Sequence, residues 1–394
     1  MPNGKSGSPA QKVEINSFRL LVAALLLHTI GPQTVLLLPG FVQGMVEHIG
    51  FTDQQAGYIV STEMWGMTVS AIAMMFLVSR VNWRLMFRLS LGLLMVGNFL
   101  SAFVTDYSTF QVLRFFTGMG GGAIVALCYA TFALTAKADR NFGLGIMFVL
   151  VYSAAVYPLL PLVFAHVGMS GLLLFFGIFA VVGLPFVRQM PTSGEEHIET
   201  DENAVNIGAS RKILALAAMF IYFVANFIVW TYIFRIGVAA GLSEQEVANG
   251  LSFSQFLGIA GAFTAAAVGA RFGRGIPLSL GILGGAIPLI FLFGTTSAIW
   301  YAVIVSIYQF AWNMTHPYLL AAMASFDPSG KMVVYATAMQ FIGVSVGPAL
   351  GAIAITSDGY ENTLLMGIAL LVASLALILP PVFRQARLAT RIRP

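Results

Sequence analysis

The sequence has little charge and almost no cysteine. Charged residues make up 9% of its 394 positions, whereas a soluble domain carries about 25%, so a water-facing surface could not be covered with them. The single cysteine, Cys128, excludes an internal disulfide and a multi-cysteine zinc or iron–sulfur site. These deficits exclude a soluble enzyme, a nucleic-acid-binding protein, a disordered scaffold and a disulfide-stapled secreted domain.

Long apolar runs take the place of the missing charge. Hydrophobic residues reach 58% of the chain, and 32 residues are phenylalanine. A bilayer core about 30 Å thick needs roughly 20 apolar residues per helix. Twelve such runs occur, at residues 18–44, 55–79, 85–104, 107–135, 141–166, 170–188, 211–237, 247–269, 276–296, 298–325, 332–356 and 361–383. The sequence therefore predicts an all-α membrane protein with twelve transmembrane helices, the first of them a crossing and not a cleaved signal peptide.

The basic residues predict the orientation of the chain, because Lys and Arg stay preferentially on the cytoplasmic side of a membrane. With both termini inside, every basic residue except Arg114 and Arg235 lies in the cytoplasm, which is 18 of the 20. The opposite side then carries acidic residues, among them Glu47, Asp53 and Glu244. We therefore predict a multi-pass protein of the inner or plasma membrane with both termini in the cytoplasm.

A polar segment divides the chain into two parts. We predict an N-terminal six-helix bundle at 1–188, an acidic cytoplasmic linker at 189–210, and a C-terminal six-helix bundle with a basic tail at 211–394. The glutamates around His197 are expected to be solvated rather than to bind a metal. The halves also resemble each other at a shift of about 190 residues, as a duplicated unit would. Two bundles that meet at a central site form a transporter architecture.

Several motifs carry a family resemblance over nearly the whole chain. Basic turns follow the second and eighth spans, with Arg80 and Arg84 in one and Arg271 and Arg274 in the other. They are similar to the G-x-x-x-D-R-x-G-R-R turn of the major facilitator superfamily, although the first copy lacks the Asp and the leading Gly. Arg114, followed by Thr117 and Gly118, is close to the R-x-x-x-G pattern of the family's fourth span.

A glycine-proline motif adds to the resemblance. Span eleven carries it as Gly343, Gly347, Pro348 and Gly351, and it resembles one that drug and metabolite antiporters of the family usually have in span five, where only Pro158 survives. We expect these residues to pack and bend helices. The same holds for Gly118, Gly120, Gly121 and Gly122, which lie inside a span with no phosphate-binding context. The resemblance implies a twelve-helix secondary carrier that works by alternating access.

Few ionisable groups lie within the spans, and each is a functional candidate because its burial is costly. Glu63 in span two and Arg114 in span four lie at comparable depth. They are interpreted either as a site of proton coupling and gating, as a permanent structural ion pair, or as two separate groups. His28 is a second candidate proton carrier, or a hydrogen-bonded packing residue.

Spans one, four, seven and ten line the central cavity, as the resemblance implies. Their polar and aromatic residues predict a site for a small organic molecule, and these residues are Gln33, Tyr129, Asn226, Trp230, Arg235, Trp312, Asn313 and His316. Packing against lipid is the alternative for the tryptophans. For Arg235 the alternative is a role in gating.

Two modes of transport fit these features. The span-eleven motif and the short loops favour export of a drug or metabolite by proton antiport, whereas Arg114 and the histidines favour uptake of an organic carboxylate by proton symport. A membrane-embedded enzyme and a channel are remoter hypotheses, because no nucleophile–base motif and no filter-like segment is present. We expect no cofactor and no metal, and we expect a monomer in the lipid bilayer that binds its solute and protons and no nucleic acid.

Overall fold

A computed structural model describes residues 14–194, 204–269, 271–294, 297–357 and 359–392. The described chain is helical and forms twelve spans in two six-helix bundles. Span α1 consists of Phe18–Ile30, Gln33–Leu36 and Leu38–Gly44, and α2 to α4 are Asp53–Leu77, Trp83–Ser101 and Tyr107–Ala133. Span α5 begins as Ala138–Val156, and α5 and α6 share the helix Leu160–Gly183. Spans α7 to α12 are Ala209–Ala239, Glu244–Val268, Gly275–Ile290, Ala298–Ser325, Lys331–Ala354 and Glu361–Ile392.

Length and apolar composition support the crossings unequally. Seven described helices are long and apolar enough to cross a membrane on these grounds alone, and one of them, the 52-residue run Ala138–Gln189, contains both α5 and α6. The remaining spans are broken, short, or interrupted by polar residues: α1 is in pieces, α9 has 16 residues, α3 begins with two arginines, and α10 contains an asparagine and a histidine.

Two spans are interrupted where the sequence has proline or glycine. Span α1 breaks at Gly31 and Pro32 and again at Leu37, and it ends in a π-helical turn, Met45–Ile49. The predicted boundary between α5 and α6 lies at Gly168, whose φ of 61° is left-handed and is tolerated by glycine at little cost. The bend at Pro158 in α5 is a short 3-10 segment, Tyr157–Leu159.

The helix starts repeat between the two bundles. Thr52 caps α2 and Ser243 caps α8, each in a capping box, and Asp106 and Ser297 cap α4 and α10. Both pairs are separated by the same interval, since 243 − 52 = 191 and 297 − 106 = 191. Each cap contributes about 1 kcal/mol to its helix. The register of these caps agrees with the predicted duplication.

The two ends of the molecule differ in charge. We call the end with Arg80, Arg84, Lys137 and Arg271 the basic end, and the end with Glu47, Asp53, Asp106 and Glu244 the acidic end. Both flanks of the linker are bonded at the basic end: the Trp83 N–H donates to the Thr192 carbonyl, and the Val205 N–H donates to the Ser325 carbonyl. Residues 195–203, which include the predicted acidic cluster and His197, lie outside the described residues. The exact limits of the bundles and linker stay a prediction.

Candidate functional site

Arg114 and Glu63 form an ion pair inside the N-terminal bundle. The Arg114 Nε lies 3.0 Å from one Glu63 carboxylate oxygen and its terminal nitrogen 2.5 Å from the other, so the contact is bidentate. The guanidinium also donates to Asn98 at 2.8 Å and to Thr34 at 3.0 Å, and it lies over the Phe41 ring at 5.1 Å. Both charged side chains are almost completely buried. The guanidinium is thereby held by α1, α2 and α3 together.

Glycines explain why these two charges meet. A Cβ on Gly118 would lie 2.0 Å from the carbonyl oxygen of Glu63, so α4 can approach α2 this closely only with glycine there. Arg114 is four residues before Gly118 and shares its helix face. The predicted role of the α4 glycines in close helix packing agrees with this geometry. Gly343, Gly347 and Gly351 likewise pack α11 against the backbone and aromatic side chains of α7.

Arg235 joins the two bundles at the acidic end. From α7 it makes ion pairs with Glu47 and with Asp53, the latter at 2.9 Å, and it donates to Gln43 at 3.0 Å. Tyr232, one turn earlier on α7, donates to the backbone carbonyl of Asp53 at 3.1 Å. The guanidinium of Arg235 is therefore fully engaged in contacts between the two bundles.

Two further contacts extend this network. Gln43 donates to Glu244 at the start of α8 over 2.7 Å, and the Tyr360 hydroxyl donates to Asp53 over 2.7 Å. Burial, with the hydrogen bond to Asp53, raises the pKa of Tyr360 above its ordinary value despite the nearby Arg235. The phenol therefore stays protonated and remains a donor to the carboxylate. We call Gln43, Glu47, Asp53, Arg235, Glu244 and Tyr360 the acidic-end network.

Other contacts between the bundles lie at the acidic end or in the middle. Ser61 donates to the Ser345 carbonyl at 2.6 Å, and Thr68 bonds the Ser345 hydroxyl and the Phe341 carbonyl. Among described residues, no hydrogen bond or ion pair joins the bundles nearer the basic end than Thr68. The structure is thus a state in which the bundles are closed together at the acidic end.

Aromatic and amide side chains of α7 and α10 contact one another. The Trp312 ring contacts Phe227, Trp230 and Tyr308 at centroid distances of 5.7 to 6.0 Å. The Tyr308 hydroxyl donates to the Asn226 side-chain oxygen at 2.9 Å.

The two other predicted α10 residues make different hydrogen bonds, His316 with α11 and Asn313 with its own helix. His316 Nε2 lies 3.0 Å from the Gln340 amide oxygen of α11, and the Asn313 amide donates to the Gln309 carbonyl of its own helix at 3.0 Å. All five predicted C-terminal cavity residues other than Arg235 therefore belong to one layer of α7 and α10.

His28 of α1 and Tyr129 of α4 lie together within the N-terminal bundle. His28 is buried, with its ring 5.2 Å from that of Tyr129 and 5.7 Å from that of Phe132. Tyr129 is 41% exposed, whereas Gln33 is buried. His28 Nδ1 and Gln33 Nε2 are buried without a hydrogen-bond partner.

The predicted basic turns lie at the basic end. The Arg84 Nε donates to the Met190 carbonyl at 2.7 Å and fastens the turn to the start of the linker. Arg80 and Arg271 are exposed and Arg274 is half-buried. Two cavities of about 320 and 300 Å³ lie away from all the residues above, one at the basic end beside Lys137 and one between α8 and α10.

Sequence reasoning missed several partners. Asn98 and Thr34 complete the surroundings of Arg114, Gln43 and Tyr360 complete the acidic-end network, and Tyr152 has a buried hydroxyl without a partner. Neutral polar side chains are common within helices, so none of them stood out in one sequence. The only available signal was the acidic character of Glu47 and Asp53 opposite a lone Arg235.

Comparisons with known proteins agree with this architecture. Residues 23–333 match the family model described as Major Facilitator Superfamily. Among solved structures, a D-xylose-proton symporter has a TM-score of 0.72 at 14% identity, with 91% of this chain and 97% of that chain covered. The xylose transporter XylE from E. coli has a TM-score of 0.71 at 14% identity, covering 91% and 96%. The nucleoside transporter NupG has a TM-score of 0.70 at 12% identity, covering 93% and 98%. No curated protein sequence matches the chain.

Proposed function

Since the chain belongs to the major facilitator superfamily and is a membrane transporter rather than an enzyme, we propose that it moves a small organic solute by alternating access, with the acidic-end network as one gate. The observation that carries the proposal is the cluster of charged contacts that Arg235 makes across the two bundles. These contacts must break for the solute to leave or enter at that end. The two carboxylates are partly exposed, so water can replace these contacts at modest cost.

The orientation proposed with this function has the basic end in the cytoplasm and both termini inside. The preference of Lys and Arg for the cytoplasm supports it. In that orientation the structure corresponds to a state closed toward the outside. Such a state exchanges its solute with the cytoplasm, as every transporter that works by alternating access must do at one stage.

Proton coupling is proposed at Glu63 and Arg114. Glu63 is buried about ten residues into α2, roughly 15 Å from its acidic-end start. Its carboxylate is paired there with the Arg114 guanidinium, and in the proposed mechanism this pair breaks and forms again during the transport cycle. Thr34, which also bonds Arg114, follows the break of α1 at Gly31 and Pro32. Movement of α1 about this break would therefore change the partners of Arg114. His28, beside the same break, is kept as the second proton carrier of the proposal.

Export by proton antiport is the mode that we favour over uptake of a carboxylate. A buried carboxylate on the solute needs a cation as partner. Both arginines within the spans are engaged, Arg114 by Glu63 and Arg235 by Glu47 and Asp53. The remaining candidates of the cavity are amides, aromatic rings and histidines, which suit an uncharged or weakly charged molecule.

Proton movement in vesicles tests the mode of transport. Purified protein would be reconstituted with the basic end outward and an acidic lumen that contains a pH-sensitive dye. Antiport predicts that adding a transported drug or metabolite, with uncharged uridine as the first probe, makes the lumen less acidic. Carboxylate symport predicts that benzoate, loaded into the lumen, leaves together with protons. A response to benzoate alone would replace antiport by symport.

A further inference from the structure

Three buried polar atoms without a hydrogen-bond partner lie along the contact between α1 and α5. They are His28 Nδ1, Gln33 Nε2 and the Tyr152 hydroxyl. Buried polar groups in native proteins are almost always paired, so each exception needs an explanation. His28 and Gln33 are each about 4% exposed. We call these three side chains the α1–α5 cluster.

The register of the two helices brings the cluster together. Near one end, a Cβ on Gly145 of α5 would lie 3.5 Å from His28 Nδ1, and further along, the Tyr157 hydroxyl donates to the Leu36 carbonyl at 3.2 Å. Tyr152 is seven residues after Gly145 and five before Tyr157, and Gln33 is five residues after His28 and three before Leu36. Tyr152 and Gln33 therefore lie at nearly the same depth, a little more than halfway from the His28–Gly145 contact to the Leu36–Tyr157 contact. The short helix Gln33–Leu36 packs against α5.

Tyr152 also lies on the side of α5 that faces α1. Residues seven apart share a helix face, and Gly145, which faces His28, is seven residues before Tyr152. The Tyr152 ring is stacked on Phe179 of α6 at 5.8 Å, which fixes its direction. Its hydroxyl is buried and has no hydrogen-bond partner.

The second bundle approaches at the same level. A Cβ on Gly258 of α8 would lie 2.9 Å from the Asn313 side-chain amide of α10 and 3.7 Å from the Leu150 side chain of α5. Leu150 is two residues before Tyr152. The cluster thus lies at the same level along α5 as Asn313 of the second bundle.

The chemistry of the cluster selects a class of ligand. An amide N–H donates, a phenol donates or accepts, and an imidazole nitrogen does either according to its tautomer. A hydroxyl group is able to complement all three. An ionised group would be buried there without a counter-charge, because Arg114 and Arg235 are already paired with carboxylates.

We propose that the α1–α5 cluster is a binding subsite for the hydroxyl groups of an uncharged organic solute, with Gln33 and Tyr152 as its specificity-determining residues and His28 beside them. The inference rests on the proposed transport function and names the class of solute that its site accepts. The unpaired atoms then represent the free state of a site that the solute completes.

Ligand-induced thermal shifts of purified protein test the subsite without any proton gradient. The probes are myo-inositol, a pentose and uridine as uncharged hydroxyl compounds, with benzoate and tetraphenylphosphonium as charged ones. The variants are Tyr152→Phe and Gln33→Leu. The matched control is Ser306→Ala, because Ser306 also has a buried unpaired hydroxyl but lies beside Phe253 on the side between α8 and α10.

At least one hydroxyl probe is expected to stabilise the wild type and the control. Loss of one hydrogen bond should weaken its binding about tenfold in each variant. The melting temperature of the ligand-free Tyr152→Phe protein should not fall, because the hydroxyl that is removed has no partner. A purely structural tyrosine would instead lower that temperature and leave binding unchanged.

Three results would overturn the inference: stabilisation by the charged probes alone, no response to any hydroxyl probe, or undiminished binding in both variants. Its failure is separable from that of proton coupling. If the hydroxyl probes bind normally but no probe moves in response to the proton gradient, coupling is refuted and the subsite stands. If the gradient drives the movement of benzoate, coupling stands and the subsite for uncharged hydroxyl compounds is refuted.

Discussion

Removing the charge of Arg235 should open the acidic end. Arg235→Met keeps most of the apolar stem and deletes every contact that the guanidinium makes with Gln43, Glu47 and Asp53. The same replacement at Arg88, an exposed residue of α3 near the basic end, is the matched control. Both variants would be made in a Cys128→Ala background, because this cysteine is the only one in the chain.

The magnitude follows from the exposure of the partners. The Glu47 side chain is 45% exposed, so its ion pair is worth about 0.5 kcal/mol. The Asp53 pair is less exposed, at 22%, and its hydrogen bond between charged groups is worth about 1.5 kcal/mol. A loss of about 2 kcal/mol shifts the equilibrium between closed and open states roughly 30-fold.

A distance measurement reports this shift directly. Spin labels would be attached through Phe103→Cys on the N-terminal bundle and Ile299→Cys on the C-terminal bundle, since both positions are at the acidic end and about 80% exposed. Arg235→Met should enlarge the fraction of long distances, and Arg88→Met should not. Equal distance distributions in wild type and Arg235→Met would refute the assignment of the network as a gate.

Three further variants test the ion pair and its packing. Glu63→Gln should abolish gradient-driven accumulation and leave counterflow largely intact; uphill transport in this variant would remove Glu63 from coupling. Arg114→Ala leaves a buried carboxylate unpaired and should lower the free energy of unfolding by about 3–5 kcal/mol, and a melting temperature equal to wild type would contradict this. Gly118→Ala brings its Cβ to 2.0 Å from a carbonyl and should destabilise by about 1–3 kcal/mol, whereas Gly143→Ala, with open space around its Cβ, should not.

The number and order of the spans could be predicted because lipid imposes a local rule. Each crossing must satisfy its backbone hydrogen bonds within its own helix, so each transmembrane helix corresponds to one apolar segment of the sequence. The predicted division of the long run 276–325 agrees with α9 ending at Ile290 and α10 starting at Ala298. The break between α5 and α6 was predictable for the same reason, as Gly168 interrupts two apolar runs.

The site was only partly predictable, because its contacts join distant parts of the chain. Asn226 with Trp230 and Trp312 with His316 were expected on common faces, since four residues make about one helical turn. That Tyr308 bonds Asn226 across 82 residues follows from no local pattern. The sequence predicted gating as the alternative for Arg235 because this arginine is isolated at the end of a span. Its partners could be identified only from the tertiary structure.

The sequence by itself determined that this chain is a membrane protein with twelve crossings and two related halves. The length of an apolar segment and the positions of its charged residues can be read from that segment alone. Only the tertiary structure decided which charges neutralise one another. Arg114 belongs to Glu63 and Arg235 to Glu47 and Asp53. The physical reason is that a buried charge is stabilised only by groups within a few ångströms, and helix packing, with glycines such as Gly118 at the crossings, sets those distances.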